Sequence, residues 1–444
     1  MSEFLRNSDA FAWSIESDPR LRSTIVSVIL LDRAPDWRCV VERFDRLSQA
    51  VPMFRQRVVE SMTPLPPHWE DDPDFDLAFH VRRVTAPEPH TLDALLEMAR
   101  IAAMADFDRA RPLWEVTLVD GLADGGAGLL CKVHHALTDG LGAVQLATVL
   151  FDHPGAGGVA PTAPASQAAD STAGIRNAIT YGVGHAGASL SALLINGIRN
   201  PVGTVRTAYS AVASIARTAR PLTRPGSPII KRRSRIRHLA AHCVAQGALQ
   251  EAGRVAGGSL NDAFIAAVVG GLRRYHEKHG APVGDLTITM PINLRTADDP
   301  VAGNRVTLIR FAVPAGVADP AQRIAEIHEC TGRARNEKSL GFTQLIAGVL
   351  NLVPRWYVGS AFRNVDLLIS DVPGFPKPVS FGGAAVRMQY AFAPTLGAAV
   401  NVTLLSYAQT CAIGINVDQG AIPDVDVFYD CLVAGFDEVL ALSA

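Results

Sequence analysis

Between Pro154 and Thr172 the chain loses every apolar period and becomes a run of Gly, Ala, Pro and Ser, the composition of a flexible linker. Patterned sequence lies on both sides, so this break limits the fold more than any other feature. Before it, Ile25–Leu31 is a short β-branched run, and Leu92, Leu95, Leu96, Ala99 and Ala103 recur with a helical period. Glu115–Val119 and Leu129–Val133 flank the Gly/Asp-rich turn DGLADGGAG and read as a strand pair. A helix is expected from Gly140 to Leu150. After the break, Ser259 with Asp262 forms a capping-box start to a helix burying Phe264, Val268, Leu272 and Tyr275. Strands follow around Leu286–Met290, Val306–Val313, Val365–Ser370, Asn401–Ser406 and Cys411–Val417, and a closing helix spans Val425–Leu442. The expectation is an α/β (α+β) protein of two similar lobes with a site between them. The N-terminal lobe is placed at 1–154, a linker and basic helical crossover at 155–236, and the C-terminal lobe at 237–444.

With 444 residues, 48% of them hydrophobic and 19% charged, the chain has the composition of a globular enzyme. The six cysteines are scattered, with no CxxC pair and no zinc spacing, which predicts a reduced intracellular protein without a bound metal. The start MSEFLRNSDAFAW carries no basic-then-apolar signal pattern. The most apolar window, Leu345–Phe362, is interrupted by Asn351, Pro354 and Arg355, short of the roughly 20 apolar residues of a membrane span. A cytoplasmic protein is expected, soluble or attached peripherally to the inner face of the membrane or to lipid droplets.

Charge is unevenly placed. Between Ser171 and His238 lie eleven Arg and Lys residues, ending in Lys231, Arg232, Arg233, Arg235 and Arg237, with no Asp or Glu. A basic belt on an acidic body suits an anionic partner. Three readings stand: contact with phosphates, attachment to anionic lipid, or a solvated face. Nucleic acid is excluded, since no reading motif or aromatic platform accompanies the charge.

The stretch most informative about chemistry is LLCKVHHALTDGLGAVQL, residues 129–146. Adjacent strand residues point to opposite faces, so only one of His134 and His135 can enter a given cleft. Asp139 stands where a helix cap belongs, and the positive end of that helix disfavours an imidazolium nearby. A neutral imidazole is what a general base needs at pH 7. No GxSxG elbow, GxGxxG turn or GxxxxGK[ST] loop is present, which weighs against serine hydrolases, hydride transfer and nucleotide hydrolysis.

HHALTDG matches the HHxxxDG motif of the CoA-dependent acyltransferases, and the chain resembles the bacterial wax ester synthase/acyl-CoA:diacylglycerol acyltransferase family. Arg111-Pro112-Leu113-Trp114-Glu115 resembles its PLW motif, and Asn261-Asp262 its ND motif. Met290–Arg295 resembles the Arg-ending segment that follows, Ser370–Pro376 the SNVPGP motif, and Gly397–Val402 the late glycine-to-asparagine motif.

The resemblance implies a two-lobe fold like chloramphenicol acetyltransferase with a channel between the lobes. Long-chain acyl-CoA would be a substrate, with no further cofactor, and diacylglycerol or a fatty alcohol the acceptor. His135 would be the general base, with His134 its structural neighbour. Asp139 would be architectural, paired with Arg295. Asn261 is the first candidate donor to the oxyanion, and an equal reading has it simply cap or hydrogen-bond the strand carrying the histidines. Pro112 and Trp114 would shape the channel wall. Gly140, Gly142 and Ala143 would border the acceptor pocket, and Asp371 and Asn401 would contact substrate. Two departures stand out: Asp371 replaces the usual Asn, so any donor role there fails when it is ionised, and Arg20-Leu21-Arg22 replaces the usual Pro-Met-His. Two alternatives remain: an acyltransferase acting on another lipid or polyketide hydroxyl, and a weakly active lipid-binding paralogue.

Overall fold

The structure is a computed structural model describing residues 3–16, 18–61, 65–152, 225–293, 306–335 and 364–443. Among these, two six-stranded sheets dominate. In chain order the first-half elements are α1 (Asn7–Ile15), β1 (Thr24–Leu31), α2 (Trp37–Ala50), β2 (Gln56–Val59), β3 (His68–Asp71), α3 (Leu77–His80), β4 (Val81–Thr85), α4 (Leu92–Met104), β5 (Trp114–Asp120), β6 (Ala127–His134) and α5 (Gly140–Leu150). The second half supplies β7 (Arg237–Ala245), α6 (Gln246–Val255), α7 (Leu260–Lys278), β8 (Asp285–Asn293), β9 (Val306–Pro314), α8 (Pro320–Arg335), β10 (Leu367–Val372), β11 (Ser380–Phe381), β12 (Ala384–Phe392), β13 (Val400–Tyr407), β14 (Thr410–Asp418) and α9 (Val425–Leu440).

The first sheet runs β11-β12-β1-β6-β5-β4 and the second β7-β14-β13-β10-β8-β9. The strand pair read from the DGLADGGAG turn is the antiparallel β5–β6 ladder. The helix expected from Gly140 is α5, and the Ser259–Asp262 capping box is formed, each residue's side chain bonding the other's backbone. β11 and β12, however, belong to the first sheet: β12 lies antiparallel to β1, Val28 opposite Tyr390. A division at 236 therefore does not separate the two sheets, because the second half returns a hairpin to the first. The crossover at 155–224 lies outside the described residues.

The lobes meet where β12 of one sheet packs on β14 of the other. Gly414 allows this, since any Cβ there would collide with the carbonyl of Ala391. Behind the second sheet, α7 is buried along almost its whole length and crosses α9 at Gly271 and Gly435, where side chains would strike the facing backbone. Burying every face of α7 suits the continuous run AFIAAVVGGL. Among the described residues no single helix is long and apolar enough to cross a membrane.

Candidate active site

β6 ends on the histidine pair, and strand alternation decides what each ring meets. His134 is fully buried with Lys132 on the face away from α5. Its Nδ1 accepts from the Ala136 amide at 2.9 Å, so the proton sits on Nε2, 3.0 Å from Oε1 of Glu16. Trp13 and Phe107 meet the ring edge-on. Burial pushes the Glu16 carboxyl up, but His134, the Ser23 amide at 2.8 Å and Arg109 outweigh it and leave the pKa below the ordinary value. His134 is thus clamped at both nitrogens.

His135 faces the other way, into a cavity. Its amide donates to the Ser23 carbonyl at 2.8 Å, tying the end of β6 to the start of β1. Burial is the largest influence on its ring and lowers the pKa; Asp139 and a bond to its own main chain push upward, and His134 pushes down. The net is a ring held neutral at pH 7. Burial, rather than the helix end, is the main cause. Asp139 is fully buried and caps α5, Oδ1 accepting from the Gly142 amide at 2.7 Å. Its expected partner Arg295 lies outside the described residues.

The cavity has a volume of about 430 Å³. Its floor is one face of the first sheet: Ile25, Ser27 and Ile29 of β1, then Leu129, Cys131 and Val133 of β6 with His135 just past its end, Trp114 and Val116 of β5, and Gln389 and Ala391 of β12. The register sets these in rows, Ala391–Ser27–Cys131–Val116 being one. Gly140, Ala143, Ala147 and Leu150 of α5 roof it, and Ser370, Asp371, Thr403 and Leu405 close it from the second sheet. From His135 to Leu129 the floor extends roughly 20 Å at the ordinary strand rise, and its lining is mostly apolar. Burial in this floor pushes the Cys131 thiol up to about 12, so it is an inert wall residue.

The other expected site residues divide. Trp114, Gly140, Ala143 and Asp371 line the cavity with His135. Asp371 opens onto it and is exposed to solvent, yet the protein packed around the cavity raises its carboxyl to about 6, against the pull of Arg335. Pro112 is buried behind Trp114 and does not line it; the Trp114 indole donates to the Phe54 carbonyl at 2.8 Å. Gly142 is used by the Asp139 cap. Asn261 sits in the first turn of α7 as expected, yet its Nδ2 faces the Met290 sulfur at 3.8 Å and it is not among the cavity residues. Its neighbour Asp262 bonds Ser259, His328 and Thr331, so Asp262 fastens α7 to α8. Asn401 is also off the cavity: it donates to the Pro394 carbonyl at 2.8 Å and accepts from Thr403, fixing the chain that borders the site.

The sequence model described as the wax ester synthase/diacylglycerol acyltransferase catalytic domain matches residues 5–264, and the C-terminal domain model of the same family matches 302–439. The chain belongs to the wax ester synthase/diacylglycerol acyltransferase family. A Mycobacterium tuberculosis protein carrying a diacylglycerol O-acyltransferase name is 35% identical over 445 residues, covering 96% of this chain and 90% of that protein. A second from the same organism, named tgs1, is 28% identical over 370 residues, 81% and 78% of the two chains. Among solved structures, the wax ester synthase/diacylglycerol acyltransferase of Marinobacter aquaeolei VT8 superposes with a TM-score of 0.67 at 21% identity, covering 99% of both chains. The first condensation domain of the calcium-dependent antibiotic synthetase gives 0.64 at 13%, covering 100% of this chain and 96% of that one. The two-lobe fold is therefore shared well beyond the family.

In this wax ester synthase/diacylglycerol acyltransferase family member, the residue that sequence reasoning left without a role is Glu16. None of the motifs named from the sequence includes it, although it is the carboxylate that holds His134. The signal available was a Glu in an otherwise apolar stretch, FAWSIE, that must be buried; its partner lies far along the chain.

Proposed function

We propose that the protein transfers a long acyl group from acyl-CoA to the free hydroxyl of diacylglycerol, with fatty alcohols as further acceptors, and that His135 is the general base. What supports this reading is His135, its pKa lowered by burial, facing an apolar cavity long enough for a fatty chain. The acceptor hydroxyl gives its proton to His135 as its oxygen bonds to the thioester carbon. The C–S bond then breaks, and the imidazolium returns the proton to the CoA thiolate. No acyl-enzyme forms, and no cofactor besides the acyl-CoA substrate enters. Asp139 acts through the start of α5, and Glu16 with His134 fixes the end of β6, so both are positioning residues. Attachment to a membrane or droplet surface is part of this proposal, as a route for oily acceptors to the cavity.

Labelled palmitoyl-CoA offered with diacylglycerol, hexadecanol or glycerol tests the acceptor. The expected order is diacylglycerol first, hexadecanol next and glycerol last. His135→Ala is expected to lower kcat by about 10²–10⁴-fold with the thermal unfolding midpoint unchanged. Undiminished transfer by that variant overturns the mechanism.

A further inference from the structure

A second pocket, of about 360 Å³, opens on the far side of the same strand ends. Four arginines line it: Arg20 and Arg22 from the N-terminal segment, and Arg235 and Arg237 from the end of the basic belt. The two pairs lie nearly half the protein's length apart in sequence. Arg20 pairs with Asp18 at 2.8 Å, Arg22 with Asp106 at 2.8 Å and buried Arg237 with Asp418 at 3.1 Å. Exposed Arg235 has no such partner among the described residues. The carboxylates of Asp18 and Asp106 reach solvent, so these pairs orient the guanidinium groups at little net gain and leave donors free.

Four polar atoms on this lining have no hydrogen-bond partner among the described residues: Arg22 Nε, Arg237 Nη1, which meets Asp418 only as an ion pair, Thr395 Oγ1 and Asn416 Oδ1. Thr395 and Asn416 are almost wholly buried. Buried polar groups are rarely left unmatched unless something binds them. Arginine forks match phosphate oxygens, and a carbonyl and a hydroxyl nearby suit amide N–H groups.

The position is as informative as the chemistry. Thr24 and Pro394 line this pocket, while the adjacent Ile25 and Ala393 line the apolar cavity. Ser23, one residue before Thr24, holds the His135 amide. The two pockets thus share a rim beside the histidine.

We propose that the arginine pocket binds the phosphates of the acyl-CoA donor, placing its thioester at His135 and its acyl chain in the apolar cavity. The assignment rests on the acyl-transfer reading above. It uses two of the belt residues for a phosphate-bearing substrate, and it gives the Arg20-Leu21-Arg22 departure a purpose.

The test compares palmitoyl-CoA with S-palmitoylpantetheine, which has the same thioester and no phosphate, in the full chain, Arg22→Gln and Arg235→Gln. The wild type is expected to prefer palmitoyl-CoA in kcat/KM. Each variant is expected to reduce that preference about tenfold, the loss of one charge-assisted hydrogen bond, through KM rather than kcat. Arg235→Gln removes an exposed side chain, so it tests the idea even if Arg22→Gln unfolds. An unchanged preference in Arg235→Gln overturns the proposal. So does weaker binding of the variants to phosphatidylglycerol vesicles with an unchanged KM for palmitoyl-CoA, which would assign the arginines to lipid headgroups. If the wild type transfers from neither thioester, the acyl-transfer reading itself fails.

Discussion

Thr24 and Ile25 are joined by one peptide bond, yet their side chains enter opposite environments. On the Ile25 side lie aliphatic rows and the inert Cys131; on the Thr24 side lie four arginines and buried polar atoms with no hydrogen-bond partner among the described residues. A strand's period of two makes this contrast possible, because each residue changes face. A reaction that moves an oily chain off a charged, water-loving donor needs both environments within one molecule's length. The histidine pair repeats the same division: His135 opens onto the apolar cavity, and His134 is clamped behind it by Glu16.

Ala147→Phe, on the cavity roof, is the strongest way to break the contrast. It is expected to cut the preference for palmitoyl-CoA over hexanoyl-CoA about 100-fold, since an aromatic ring displaces several methylenes. An unchanged chain-length profile would mean that the acyl chain runs elsewhere.

Glu16→Gln probes the opposite face. Breaking a charge-assisted bond in a buried site is expected to lower stability by about 1–3 kcal/mol, measured by denaturant unfolding at pH 7, with kcat falling less than in His135→Ala. Glu16 has a folded pKa below its ordinary value, so its contribution is present above the unfolded pKa and is lost on acidification through the folded pKa. The variant should therefore show a flatter acid limb; an unaltered limb would remove Glu16 from that role.

The smallest effect is expected at Asp371. Its pKa of about 6 exceeds that of an unfolded Asp, so the native protein holds the proton more tightly. Its ionisation destabilises the fold as pH rises from about 4 to about 6. Asp371→Asn should raise the unfolding midpoint at pH 7 and leave it unchanged at pH 4. An equal shift at both values would show that packing, not charge, is responsible.

Local signals made much of this legible. The β6–turn–α5 unit, the Ser259 capping box and the closing helix each depend on neighbours within a few residues, so spacing revealed them. The return of β12 to pair with β1 depends on contacts across nearly the whole chain, which no local pattern carries. Asn261 looked like an oxyanion donor because the ND pair opens a helix, but the same residues equally suit fastening α7 to α8 through Asp262. Arg233 and Arg237 read as part of a basic belt suited to an anionic partner. In the fold Arg233 donates to the carbonyls of Gly397 and Val365, and Arg237 meets buried Asp418. Charge density along a sequence does not say which way each arginine turns.

The account stands on the protonation of one ring. Nitrogen NMR of histidine-labelled protein, with His135→Gln to assign the signal, reads it directly across pH 5–8. A neutral His135 at pH 7, protonating only below the ordinary histidine value of about 6.5, is the predicted result. A His135 signal already in the imidazolium form at pH 7 would contradict it.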